Sequence, residues 1–189
     1  MPDPAYLLYS LGMAPDERAV PVWRRVASLL ASAREEDFYD GLKGTFYYVD
    51  ALCFGVERLA TADLIPLLQQ VHGYAPFHGQ SRRQGFEPDY VQERLAYLEV
   101  TLGRALARCG SPDGYVVLIS YLEDARALLA EYAHSELVSI TGEDRGKDTR
   151  AWSDWLESNG DRLAPVPWRG PTEPMAVWGQ SILRAGPRT

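Results

Sequence analysis

Basic residues, cysteines and long apolar runs are all scarce in this chain. Nineteen lysines and arginines stand against 26 aspartates and glutamates, giving a formal net charge of −7 and a sequence pI near 5.0. The average field repels phosphate backbones and anionic headgroups, which argues against a nucleic-acid partner. No window approaches the about 20 apolar residues that a membrane-spanning helix needs, and MPDPAYLLYSLGM at the start has no cationic segment before its broken apolar stretch. No membrane span or secretory leader is expected, and the cytoplasm is the default compartment.

The rarity of reactive side chains narrows the chemistry. The two cysteines, Cys53 and Cys109, lie inside apolar helical patterns rather than in Cys-x-x-Cys spacing, and read as buried free thiols that pack like small hydrophobes. There are three histidines, His72, His78 and His134. A carboxylate beside His72 and His78 would make a divalent-metal set, but no His-x-x-x-His helical spacing or cysteine ligand accompanies them, so no metal centre is expected. A Gly-x-Ser-x-Gly elbow is missing, and GEDRGKD at 142–148 lacks both Walker spacing and a preceding strand. No catalytic residue and no cofactor are assigned, and a binding protein is expected over an enzyme.

What is present is apolar residues at helical spacing: 46% of the chain is AVILMFWYC and 24% is charged, enough for a packed core. The stripes predict helices over Pro4 to Gly12, Glu17 to Arg34, Thr45 to Ala60, Leu64 to Val71, Asp89 to Arg108, Gly114 to Leu122, Ala125 to Ile140 and Thr149 to Glu157. Pro21, Pro66 and Pro112 suit first turns, and Asp89 and Ser111 suit N-caps. GYAPFHGQSRRQGFEP at 73–88 shows no period and reads as an irregular insertion. The segment 159–189 is rich in proline and glycine and reads as an extended tail, leaving 1–158 as one helical domain; Trp168 and Trp178 are its candidate contacts with the helices.

Three junctions repeat: LGMAPD from Leu11, LATAD from Leu59 and CGSPD from Cys109. Each leads from an apolar-striped helix into one with an apolar run, and the offsets of 48 and 50 residues slightly exceed the period of about 40–47 in HEAT and armadillo repeats. ALARCGSPDGYVVLISYLED at 105–124, followed by LVSITGEDRGKDTRAWSDWL at 137–156, resembles the bacterial HEAT-like repeat proteins, a group that includes the repeats of phycobilisome-lyase relatives. The resemblance implies an all-α, HEAT-like α-solenoid of stacked antiparallel helix pairs, an architecture commonly used to bind proteins.

Two groups of residues are candidates for function. Phe38, Tyr39, Phe46, Tyr47 and Tyr48 with Lys43 form a dense aromatic stretch. Together with His78, Arg82 and Arg83 of the insertion, Lys43, Tyr47 and Tyr48 are the candidate partner-binding residues, since Tyr and Arg dominate interface energetics. Charges also interrupt apolar helices: Asp50, Glu57 and Arg58 in one, Glu93, Arg94, Glu99 and Arg104 in another. Asp50 and Glu57 share a helix face. They predict an inter-repeat ladder of arginine–carboxylate pairs, or alternatively a polar pocket formed by Asp50, Glu57 and Glu93. The leading expectation is a non-catalytic scaffold module that binds a protein. The alternative is an enzyme-associated accessory domain or small-ligand handler resembling the HEAT-like chromophore lyases.

Overall fold

A computed structural model describes residues 4–31, 45–85 and 89–170. These residues contain eight α-helices and no strand: α1 Pro4–Met13, α2 Val20–Ala31, α3 Thr45–Leu59, α4 Ile65–His72, α5 Tyr90–Arg108, α6 Pro112–Tyr121, α7 Ala127–Thr141 and α8 Thr149–Asn159. None is long and apolar enough to cross a membrane.

Local chemistry sets the starts. The side chains of Asp16, Asp89 and Asp148 accept from Arg18, Gln92 and Arg150 N–H, satisfying donors that a first turn leaves unpaired. Ser111 stands at the N-cap of α6, but its hydroxyl makes no capping bond; Pro112 in the first turn has no N–H to satisfy. Pro66 plays the same part in α4.

The helices pack in two rows. Among the odd-numbered helices α1 contacts α3, α3 contacts α5 and α5 contacts α7; α2 packs on α4 and α6 on α8, and α2·α3, α4·α5, α5·α6 and α6·α7 join the rows. A single apolar cluster runs through the array, from Trp23 through Leu52, Leu68, Leu98 and Leu118 to Leu137 and Trp152. At one crossing the backbones of α5 and α6 nearly touch: a Cβ on Gly114 would lie 2.1 Å from Ala107 N and 2.4 Å from Gly103 O.

The central helix α3 is enclosed on nearly every side. Ala51, Cys53, Phe54, Glu57 and Arg58 are all buried, because α1, α2 and α5 surround it. Both cysteines are buried and free. Beyond α8, Gly160–Arg162 forms a 3-10 turn, and the chain runs back across the odd-numbered row. Val166 N–H donates to Arg108 O at 2.8 Å and Trp168 N–H to Glu57 O at 2.9 Å, so carbonyls near the ends of α5 and α3 gain partners there. Trp178 lies outside the described residues.

Candidate functional site

The charged positions of α3 and α5 meet in a constant register. Tyr97 donates to Asp50 Oδ1 at 3.1 Å across 47 residues, and the same offset sets Arg104 Nε 2.5 Å from Glu57 Oε2. A constant offset means that the two helices run parallel. The Arg104–Glu57 contact is an ion pair without hydrogen-bond alignment, since neither buried atom has a well-directed partner. Glu57 Oε1 accepts from Arg58 Nη1 at 3.2 Å.

From α5 the network continues into α7. Arg108, 2% exposed, donates through Nη2 to Glu136 Oε2 at 2.8 Å and to Ser139 Oγ at 3.1 Å, and through Nη1 to Val166 O at 3.3 Å. Arg104 Nη1 lies 3.8 Å from the other Glu136 oxygen. On the α1 side, the Tyr9 hydroxyl donates to Asp50 Oδ2 at 2.5 Å. The guanidinium of Arg58 sits 3.4 Å from the Phe54 ring centroid and 4.3 Å from that of Trp168, which locks the returning segment onto α3.

Burial dominates the electrostatics here. It pushes Glu57 up to about 7 against the pull of Arg104, and raises Asp50 despite hydrogen bonds from Tyr9 and Tyr97. It also pushes Cys109 up to about 12 and Cys53 well above the usual thiol range, so neither is a nucleophile near neutrality. The sign of the Glu57 shift gives a testable pH dependence. A folded-state pKa of about 7 against an ordinary 4.5 means that the folded chain holds a proton which the unfolded chain has lost. This contribution is full below pH 4.5 and lost as pH rises through about 7. Glu57→Gln is expected to remove a decline on the order of 2–3 kcal/mol between pH 4.5 and 7.5. Urea unfolding at both pH values checks this, and equal slopes in variant and wild type would refute it.

Arg94 stands in a different setting. Its guanidinium lies 3.8 Å from the Phe46 ring centroid, 5.0 Å from Tyr90 and 5.7 Å from Tyr47, and it donates to the Tyr90 hydroxyl. Phe46 is buried and Tyr48 half-buried, while Tyr47 is 42% and Tyr90 64% exposed. The result is an exposed aromatic surface stiffened by a cation at the N-terminal ends of α3 and α5.

The insertion is pinned in place. Arg82 N–H donates to Asp124 Oδ2 at 2.8 Å, Arg126 Nη2 to Gln80 O at 2.6 Å, and Ala125 N–H to Arg82 O at 2.7 Å. Arg83 pairs with Glu123 at 3.1 Å on the surface. Glu99 of α5 accepts from Gly79 N–H at 2.6 Å through Oε1, and from Gln80 N–H at 2.7 Å and the Tyr121 hydroxyl at 2.6 Å through Oε2. Gly79 has φ +73, a conformation that suits glycine and lets two successive N–H groups face one carboxylate. Burial opposes ionisation of Glu99, but the His72 contact and these hydrogen bonds outweigh it and hold the carboxyl below its ordinary range.

The sequence-derived candidates therefore separate. Glu57, Arg58 and Arg104 come together, with Asp50 one turn-pair away between two tyrosines. Glu93 makes no ion pair with Arg58 or Arg104, and its charge adds to those that favour the protonated Arg126 guanidinium. Tyr47 groups with Arg94, whereas Arg82 and Arg83 belong to the end of α6, and His78 packs on His72. Lys43, Phe38 and Tyr39 lie outside the described residues. The sequence reading missed Tyr9, Tyr97, Arg108 and Glu136; the four-residue spacing of Arg104 and Arg108 was the available signal, since it puts both on one face of α5. It also did not associate Glu99 with the two histidines. No family model, curated protein or solved structure gives a significant match to the chain.

Proposed function

We propose that the chain is a HEAT-like α-solenoid acting as a non-catalytic protein-interaction module, with the Arg94 aromatic cluster as its recognition surface. The contacts of α1 with α3, α3 with α5 and α5 with α7, and the 47-residue register between α3 and α5, support the repeat reading. The observation that carries the functional reading is the Phe46–Tyr47–Tyr90–Arg94 group. It offers two exposed tyrosines whose rotamers are restrained by a stacked guanidinium, so ordering them on binding costs little.

A small-ligand role finds less support. Both oxygens of Asp50 have tyrosine donors and Glu57 faces two arginines, so these two carboxylates already have partners within the fold. The test is affinity capture from native lysate at low salt with wild type and the Tyr47→Ala/Tyr90→Ala variant. A stoichiometric polypeptide retained by wild type is expected to be lost from the variant, with thermal unfolding unchanged. Equal retention by both would overturn the reading.

A further inference from the structure

His72, the last residue of α4, His78, just after the Ala75–Phe77 turn, and Glu99, in the middle of α5, are brought together by three different elements. Their ligand atoms all lie within 4.8 Å of one another. One pair, His72 Nε2 and Glu99 Oε1, is 3.5 Å apart. Donors on a tetrahedral zinc ion with bonds of about 2.0–2.1 Å stand about 3.3 Å apart. One pair is thus nearly at ligand spacing, and the third donor, on an exposed side chain, has little distance to close.

Three features distinguish the cluster from a simple packing arrangement. His72 Nε2 is buried and has no hydrogen-bond partner, because its approach to Glu99 lacks the required direction. A histidine serving only the core would satisfy that nitrogen. Glu99 Oε2 already accepts two hydrogen bonds, whereas Oε1, the oxygen 3.5 Å from His72 Nε2, accepts one and has acceptor capacity left. This is how outer donors commonly orient a ligating carboxylate. Finally, His78 sits edge-on to His72, with ring centroids 5.0 Å apart at 69°, and is exposed, so the cluster is reachable from solvent.

We propose that His72, His78 and Glu99 form a three-ligand site for a borderline divalent transition-metal ion, with zinc as the reference ion. The set of two imidazoles and one carboxylate selects against calcium and magnesium, which take oxygen ligands, and no cysteine contributes. Bound metal joins α4, the insertion and α5 at one point and adds to the hydrogen bonds that Glu99 already makes with the insertion.

The experiment uses tag-free full chain stripped of metal and titrated with zinc against a chromophoric chelator. One equivalent is expected to bind and raise Tm. His78→Ala, a change at an exposed position that spares the core, is expected to weaken zinc about a hundredfold or more and abolish the Tm increase. Tyr121→Phe is expected to weaken binding about tenfold through loss of Glu99 orientation, and His134→Ala to leave it unchanged. Cobalt in place of zinc is expected to show visible bands of a four- or five-coordinate ion that His78→Ala removes. Failure of wild type to bind zinc above the chelator background, or unchanged affinity in His78→Ala, overturns the proposal.

Discussion

Arg104→Met is expected to lower stability by about 3 kcal/mol at pH 8, equivalent to a Tm decrease of roughly 6–12 °C for a chain of this size. The guanidinium stands between Glu57 and Glu136, 2.5 and 3.8 Å from their oxygens, and methionine preserves much of its packing volume. The loss therefore reports charge. Arg58 and Arg108 remain beside the two carboxylates, which keeps the loss near the lower end of what breaking a buried pair costs. At pH 6 it shrinks, because Glu57, already raised to about 7 by burial, takes up a proton more readily once its partner is gone. Arg104→Met/Glu57→Gln is expected to recover much of the deficit, as paired removal leaves no uncompensated buried charge. A loss below about 1 kcal/mol at both pH values would mean that the ladder contributes little to holding α3, α5 and α7 together.

Gly114→Ala distinguishes sterics from helix propensity, because the two predict opposite signs. Propensity alone would stabilise α6 by about 0.5–1 kcal/mol. A Cβ at this position meets backbone rather than a movable side chain, at 2.1 Å from Ala107 N and 2.4 Å from Gly103 O, so α5 and α6 would have to separate. Since this is the most extensive helix–helix contact in the array, a destabilisation of about 3 kcal/mol or more is expected. Gly103→Ala meets only the Val117 side chain, at 2.5 Å and beyond except for the Gly114 carbonyl at 3.5 Å, and is expected to cost less. Chemical denaturation of both variants measures the order; a Gly114→Ala chain as stable as wild type would refute the close crossing.

The helices were legible because their signals are local. Apolar stripes recur every three or four residues, Asp89 supplies a side-chain acceptor one turn before a free N–H, and Pro66 and Pro112 sit where no backbone donor is needed. Partners across helices were less so, because they depend on register. Arg104 meets Glu57 and Tyr97 meets Asp50 at a 47-residue offset, close to but not equal to the 48 and 50 residues between junctions. Applied to Glu93 and Arg94, that offset gives Phe46 and Tyr47, aromatic residues rather than carboxylates. This is why Arg94 ends among rings.

The His72–His78–Glu99 cluster was hidden for a related reason. The two histidines straddle a turn and the carboxylate belongs to the next long helix, so no fixed motif spacing reveals it. The insertion looked irregular because its order comes from tertiary partners, Glu99 and Asp124, rather than from periodic side chains. Arg108 and Glu136 were overlooked because single charges in apolar helices read as solvated faces until the neighbouring helix is placed.

The most direct test of the interaction reading is site-specific photo-cross-linking in native lysate. Benzoylphenylalanine is placed at Tyr90, in the Arg94 cluster, and in a control chain at Val116, which is 57% exposed on α6. A discrete polypeptide adduct from position 90 that is missing from position 116 is the predicted result. No adduct from position 90, or the same adducts from both positions, would contradict the assignment of that surface to a protein partner.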